Sequence, residues 1–171
     1  ILLGMGDQHI DVAVRRAESK FQVGLSMLEP KVPYKETITK KGQAMYRHKK
    51  QTGGSGQFGE VHLRVEPSEQ DFEFVWDVFG GSISQNYSSS IQKGILAVMK
   101  EGILAGFPIS GVKVAVFDGK EHPVDSKDIA FQTAGREAFK EAFMLGEPIL
   151  LEPIMDVKIT VPESMMGDIL G

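Results

Sequence analysis

The chain opens with a helical rhythm. Ile10, Val14, Ala17 and Phe21 recur at intervals that place them on one helix face, Asp11, Arg15 and Glu18 fall on the other, and Asp7 stands where a capping carboxylate belongs. The period then drops to two. Phe21, Val23, Leu25 and Met27 alternate with polar or small residues, which predicts a half-buried strand ending at Pro30. One helix and one strand cannot close a core, so this opening stretch is expected to be the tail of a domain, with a boundary between Glu29 and Pro33.

From Tyr34 to Lys50 the pattern is extended and basic, with Lys35, Lys40, Lys41, Arg47, Lys49 and Lys50 set against the lone acid Glu36. A glycine-rich connection, Gln51 to Gly59, follows, and Val61, Leu63 and Val65 then alternate with His62, Arg64 and Glu66. Strand, glycine loop, strand predicts a long hairpin. A further strand is expected over Phe72 to Val78, closed by Gly80 and Gly81, with Trp76 packing in the core among Phe72, Phe74 and Phe79. Ser88 or Ser89 can begin a helix whose Ile91, Ile95, Met99 and Ile103 share a face. Val112, Val114 and Val116 restore a strand, which Asp118 and Gly119 are expected to turn. His122 to Ser126 reads as a short loop into a second long helix, with Asp125 or Ser126 as its cap and Phe131, Ala134, Ala138 and Ala142 along one face. Val157, Ile159 and Val161 predict a last strand, and Pro162 and Glu163 the opening of a helix. The order of elements is an α+β pattern, with no internal repeat.

Composition narrows the class. With 171 residues, 42% hydrophobic and 25% charged, one or two compact domains are expected. No apolar run approaches the ~20 residues that span a bilayer, so no membrane partner is expected. The absence of cysteine excludes disulfides, thiolate metal sites and cysteine nucleophiles, and the four histidines (His9, His48, His62, His122) lie far apart, so no metal is expected. A net charge of −4 offers no general attraction to nucleic acid, and any RNA contact must come from a local patch. The start lacks the basic and apolar regions of a signal peptide, and both ends read as cuts, so the chain is expected to be a monomeric fragment.

Three strings could carry chemistry. Gly54-Ser55-Gly56-Gln57-Phe58-Gly59 fits a dinucleotide fingerprint, yet a lysine-rich strand precedes it and an alternating strand follows, where that fingerprint needs a helix N-terminus for the pyrophosphate. A hairpin tip is the better reading. Its glycines could bring bare N–H groups to phosphates with Arg47, Lys49 and Lys50 supplying charge, or the lysines could form a solvated strand face; composition weighs the two equally. His122, Asp125 and Ser126 lie too close in sequence to align as a catalytic triad, so the histidine is expected in an exposed loop, where it could also stack on a base or donate to RNA. Glu137 and Glu141, beside Lys140, read as a solvated helix face.

Lys50-Gln51-Thr52-Gly53-Gly54-Ser55-Gly56-Gln57-Phe58-Gly59 closely resembles the loop at the tip of the fourth domain of elongation factor G, a family of translational GTPases. Gly4 to Val12 resembles the end of that family's third domain, and Pro30 to Ile38 the join into the fourth. Lys93-Gly94-Ile95, Gly106-Phe107-Pro108, His122-Pro123-Val124-Asp125-Ser126, Ala138 to Phe143 and Leu150 to Met155 follow in the family's order, so the resemblance covers nearly the whole chain.

The resemblance implies a third-domain piece over 1–29, a fourth domain over 30–150 with the fold of ribosomal protein S5 domain 2, and the start of a fifth domain over 151–171, the flanking pieces being ferredoxin-like. It implies an arm that reaches the decoding-side A site of the ribosome, in the cytoplasm, beside rRNA, tRNA and mRNA. Its contact residues would be Lys49, Lys50, Gln51, Gly53, Gly54, Ser55, Gly56, Gln57, Phe58 and Gly59 in one loop, and His122, Pro123, Val124, Asp125 and Ser126 in the other. No catalytic residue and no cofactor is expected within the chain, since GTP and Mg belong to an N-terminal GTPase domain and no P-loop pattern occurs here. Four features depart from the family: Ser55 where Arg is usual, Phe58 where Tyr is common, Pro123 in place of an acid, and a Ser84 to Ser88 stretch without its usual prolines. These departures suit a paralogue with altered or partial function on the ribosome, and action in ribosome recycling or disassembly is the alternative to translocation, which the tip loops do not separate. A nucleotide-binding enzyme using the glycine string is the alternative of another class.

Overall fold

A computed structural model describes residues 2–29, 31–51 and 56–171. Residues up to Val32 and those from Pro33 onward make two separate compact units.

In the first unit the helical rhythm becomes α1 (Asp7–Phe21), which ends where Gln22 turns into the left-handed region at φ 54. Asp7 is the first helical residue and does not cap it; Gly6 occupies the cap and offers no side chain to the free N–H groups. The strand expected from Phe21 to Met27 does not form. A strand exists by pairing its N–H and C=O groups with a neighbour, and among the described residues none pairs with this segment, leaving Val23, Leu25 and Met27 exposed.

The second unit is built on a sheet and two helices. After β1 (Lys35–Ile38) come β2 (Gly42–Lys50), β3 (Gln57–Pro67) and β4 (Phe72–Trp76). Helix α2 (Ser88–Glu101), β5 (Val112–Lys120), α3 (Asp128–Leu145) and β6 (Pro148–Leu151) follow, then a 3-10 turn and α4 (Met166–Leu170). The larger sheet runs β2-β3-β5-β4, with β4 parallel to β5 across the α2 crossover and the other pairs antiparallel. The long hairpin expected from the alternation is β2 and β3, in continuous register from Gly42↔Val65 to Lys50↔Gln57. Inward residues of β3 and β5 (Val61, Leu63, Val65, Val112, Val114, Val116) meet Ile91, Ile95 and Val98 of α2 and Phe131, Phe139 and Phe143 of α3, all fully buried. Trp76 packs against this core, half-buried.

Three expectations are corrected. Asp118 and Gly119 do not turn β5 but lie inside it, opposite His62 and Val61. The register shifts between His62 and Leu63, so Phe117 is the extra residue of a bulge, and a Cβ on Gly119 would stand 2.3 Å from the Glu60 carbonyl oxygen. Glycine therefore serves close strand approach here. Second, no strand forms over Val157 to Val161; chain pairing comes earlier, where β6 joins β1 in a separate two-stranded sheet. Third, neither Asp125 nor Ser126 caps α3, whose flanking residue is Lys127 with no side-chain cap bond.

The hairpin runs alongside α3, whose 18 residues span about 27 Å at 1.5 Å per residue. At one end, the N–H groups of Thr39 and Lys40 donate to the Gly146 carbonyl just past the helix. At the other, the hairpin tip meets the loop that leads into the helix.

Candidate nucleic-acid interface at the hairpin tip

The last residue pairs of the hairpin, Lys49↔Phe58 and Lys50↔Gln57, deliver the start and end of the glycine loop to one point. Thr52, Gly53, Gly54 and Ser55, the middle of the expected contact loop, lie outside the described residues. From Gly56 onward the chain packs on the histidine loop. A Cβ on Gly56 would sit 2.4 Å from Asp125 Oδ1, so any larger residue would have to displace that carboxylate from its present place. The Phe58 N–H donates to the Asp125 carbonyl at 2.9 Å, and Ser126 Oγ donates to the Phe58 carbonyl at 3.0 Å. Phe58 and Ser126 thus form an isolated parallel bridge between the two loops. The two segments that looked remote in sequence meet at one end of the β2–β3 hairpin in the second unit.

Within the histidine loop, the His122 N–H donates to Ser126 Oγ at 2.8 Å and the Ser126 N–H returns to the His122 carbonyl at 3.2 Å. The N–H groups of Val124 and Asp125 both donate to His122 Nδ1, at 3.3 and 3.2 Å. The imidazole stands 6.1 Å from the Phe58 ring, and half of the side chain is open to solvent. Pro123 and Val124 form the exposed crest of the turn. Lys49, Lys50, Gln51, Gln57, Phe58, His122 and Asp125 line a depression of about 130 Å³.

The charge of the basic stretch is resolved by the acids it meets. Lys35 pairs with Asp71 at 3.5 Å, Lys40 with Glu147 at 2.6 Å and Lys41 with Glu66 at 3.0 Å, while Arg47 is held by the buried Glu60. Burial alone would raise the Glu60 carboxyl, but hydrogen bonds from His62 and Arg47 outweigh it and hold its pKa below the ordinary glutamate value. Arg47 therefore already has an acidic partner within the hairpin, although more than half of its side chain stays open to solvent. Lys49 and Lys50, both exposed, make no ion pair among the described residues. Of the basic stretch, the two cations nearest the tip are the ones without an acidic partner among the described residues.

Not every expected contact residue faces outward. Gly59 is buried in β3 against the backbone of Ala130 and Phe131, and Ser126 is half-buried between the loops, so both serve the construction of the tip. Tyr87 was not singled out from the sequence. Its ring stacks on Phe131 with centroids 4.2 Å apart, and its hydroxyl donates to the Ser126 carbonyl at 3.4 Å. Burial, with Glu121 and Asp128 nearby, raises its pKa and keeps it a donor. Only a tyrosine at the start of a helix hints at this in the sequence. Among the described residues no three His, Cys, Asp or Glu side chains gather to hold a metal ion, and no helix is long and apolar enough to cross a membrane.

Residues 30–147 match the family described as elongation factor G, domain IV. Over its full length the chain is 45% identical to an elongation factor G-like protein of Thermotoga maritima and 44% identical to elongation factor G of Petrotoga mobilis, covering 25% of each. It thus spans about a quarter of the length of these relatives. A crystal structure of a Thermus thermophilus protein superposes on 86% of the chain, and on 22% of its own, with TM-score 0.79 and 43% identity.

Proposed function

Because the chain belongs to the elongation factor G family, carrying its domain IV over most of its length, we propose that it is the ribosome-entering arm of a translational GTPase. Residues 1–29 are assigned to the third domain, 30–150 to the fourth and 151–171 to the fifth. GTP and Mg would be held by a separate domain of the parent protein, and the arm itself breaks no bond. It works by occupying the decoding-side A site beside tRNA, mRNA and rRNA, so that their reverse movement is blocked.

One observation carries this reading: the glycine loop and the histidine loop share a tip at which Lys49 and Lys50 have no acidic partner among the described residues and the His122 ring is exposed. Cations without acidic partners among the described residues suit phosphate oxygens, and backbone contact of this kind positions a protein on RNA without reading bases. A second reading, a paralogue acting in recycling or disassembly, rests on the same tip. Phe58 offers no hydroxyl and Pro123 no carboxylate, and the Thermotoga relative is named elongation factor G-like. Complementation of a translocation-deficient strain separates the two.

The test is His122→Ala in the full-length parent with single-round translocation timed. Losing one hydrogen bond to a charged acceptor, about 1.5–3 kcal/mol, should slow the step roughly 10- to 100-fold. An unchanged rate removes His122 from the mechanism.

A further inference from the structure

We propose that Ser126 is a positioning residue that locks His122 in a single tautomer, so that the tip presents an imidazole Nε2–H donor to a hydrogen-bond acceptor on RNA. This deepens the ribosomal reading and rests on it for the identity of the acceptor. The locking itself rests on geometry within the chain.

A neutral imidazole has one N–H and one lone pair, and whichever nitrogen accepts a hydrogen bond leaves the other to donate. Two backbone N–H groups, from Val124 and Asp125, converge on His122 Nδ1. An N–H on that nitrogen would face both donors, so the lone pair must lie there and the proton on Nε2. Asp125 Oδ2 lies 3.5 Å from Nδ1, farther than either backbone nitrogen. The arrangement requires a tight turn over His122 to Ser126, and Ser126 closes it. Its hydroxyl accepts from the His122 N–H and donates to the Phe58 carbonyl, using its proton and a lone pair at once. Its N–H bonds the His122 carbonyl, and its carbonyl accepts from Tyr87, which is stacked on the buried Phe131. Every polar group of Ser126 is thereby engaged, and the loop is tied to β3 on one side and to the helical core on the other.

Chemistry follows from the tautomer. A fixed Nε2–H can donate to a phosphate oxygen, a ribose oxygen or a base acceptor, but cannot accept from an amino or hydroxyl group. With Lys49 and Lys50 lining the same depression, the tip offers donors and positive charge together, and a phosphate oxygen is the acceptor that answers both.

The test reads the imidazole nitrogens directly, by two-dimensional nitrogen–proton spectra of the 15N-labelled chain at a pH where His122 is neutral. The His122 signals are assigned by their loss in His122→Ala. The expected result is two well-separated nitrogen shifts, with Nδ1 of the unprotonated and Nε2 of the protonated type. In Ser126→Ala the two shifts should converge as the tautomers exchange, and Ser126→Thr, which keeps the hydroxyl, should restore the separation. Averaged shifts or a protonated Nδ1 in the unsubstituted chain would overturn the proposal whatever the variants do. So would a separation that survives in Ser126→Ala. If the tautomer proves fixed while ribosome engagement of the full-length parent ignores His122→Ala, the positioning role stands and the ribosomal reading of His122 fails.

Discussion

The two ends of the hairpin treat charge in opposite ways. Where α3 finishes, β1 brings Glu36 inward until its side chain is wholly buried, and four N–H groups close on it: Ile103 at 2.7 Å, Leu104 at 2.8 Å, Ala105 at 2.7 Å and Phe107 at 3.0 Å. Where α3 begins, two ammonium groups and an imidazole stand open to solvent. Each sets charged strand residues against a loop, yet Glu36 is satisfied internally while Lys49 and Lys50 have no acidic partner among the described residues. A carboxylate ringed by backbone donors fixes the loop after α2 against β1 and has nothing left to offer a partner. Unpaired cations contribute almost nothing to folding and keep their full capacity for an external anion. The difference separates a base whose charge is satisfied internally from a tip whose lysines have no acidic partner among the described residues, the two joined by about 27 Å of helix.

The sharpest way to break this comparison is at the base. Glu36→Ala should lower unfolding stability by about 3 kcal/mol or more, because four N–H donors lose their shared buried acceptor and a hydrogen bond to a charged group is worth ~1.5–3 kcal/mol. Urea midpoints at constant slope would show it, and a loss below about 1 kcal/mol would mean the base is not anchored there.

Acid should act at the same point with a smaller effect. Burial would raise the Glu36 carboxyl, but its four N–H donors win and hold its pKa below the ordinary glutamate value; Glu60 is shifted in the same direction. A depressed carboxylate pKa stabilises the fold fully above the unfolded value, about 4.3 for glutamate, and that stability is lost as pH falls through the folded value. Stability from these two groups should therefore be level from neutrality to about pH 5 and decline below. Glu36→Gln should make the decline shallower, and an identical pH profile would remove Glu36 as its source.

How much of this could be read beforehand follows from the range of the interactions involved. Ile91, Ile95 and Met99 announced α2 through their own spacing, and the alternation around Val61, Leu63 and Val65 announced the hairpin, because local period encodes which face is buried. The pairing of β6 with β1, residues such as Glu36 and Leu150, has no local signature. Nor do Phe21 to Met27 and Val157 to Val161 carry any mark that they lack a partner strand among the described residues; alternation records a tendency that pairing must complete. At the site, the resemblance located both loops, but spacing alone read Ser126 as a helix cap, and its hydroxyl instead bridges His122 and Phe58. Glu36 was visible as the lone acid among lysines. The natural inference, that it pairs with one of them, is wrong, since the four paired cations of that stretch go to Asp71, Glu147, Glu66 and Glu60.

The tip should show the smallest effect on folding and the clearest on binding. Lys49→Ala with Lys50→Ala should leave stability within about 0.5 kcal/mol, as expected for exposed side chains without partners. The most direct measurement of the central claim is the salt dependence of ribosome engagement by the full-length parent, with and without that pair. If each lysine meets one phosphate, the log–log slope should become shallower by about 1.4–1.8 in the double variant, at ~0.7–0.9 for each phosphate no longer neutralised. A slope unchanged by removing both lysines would contradict the account.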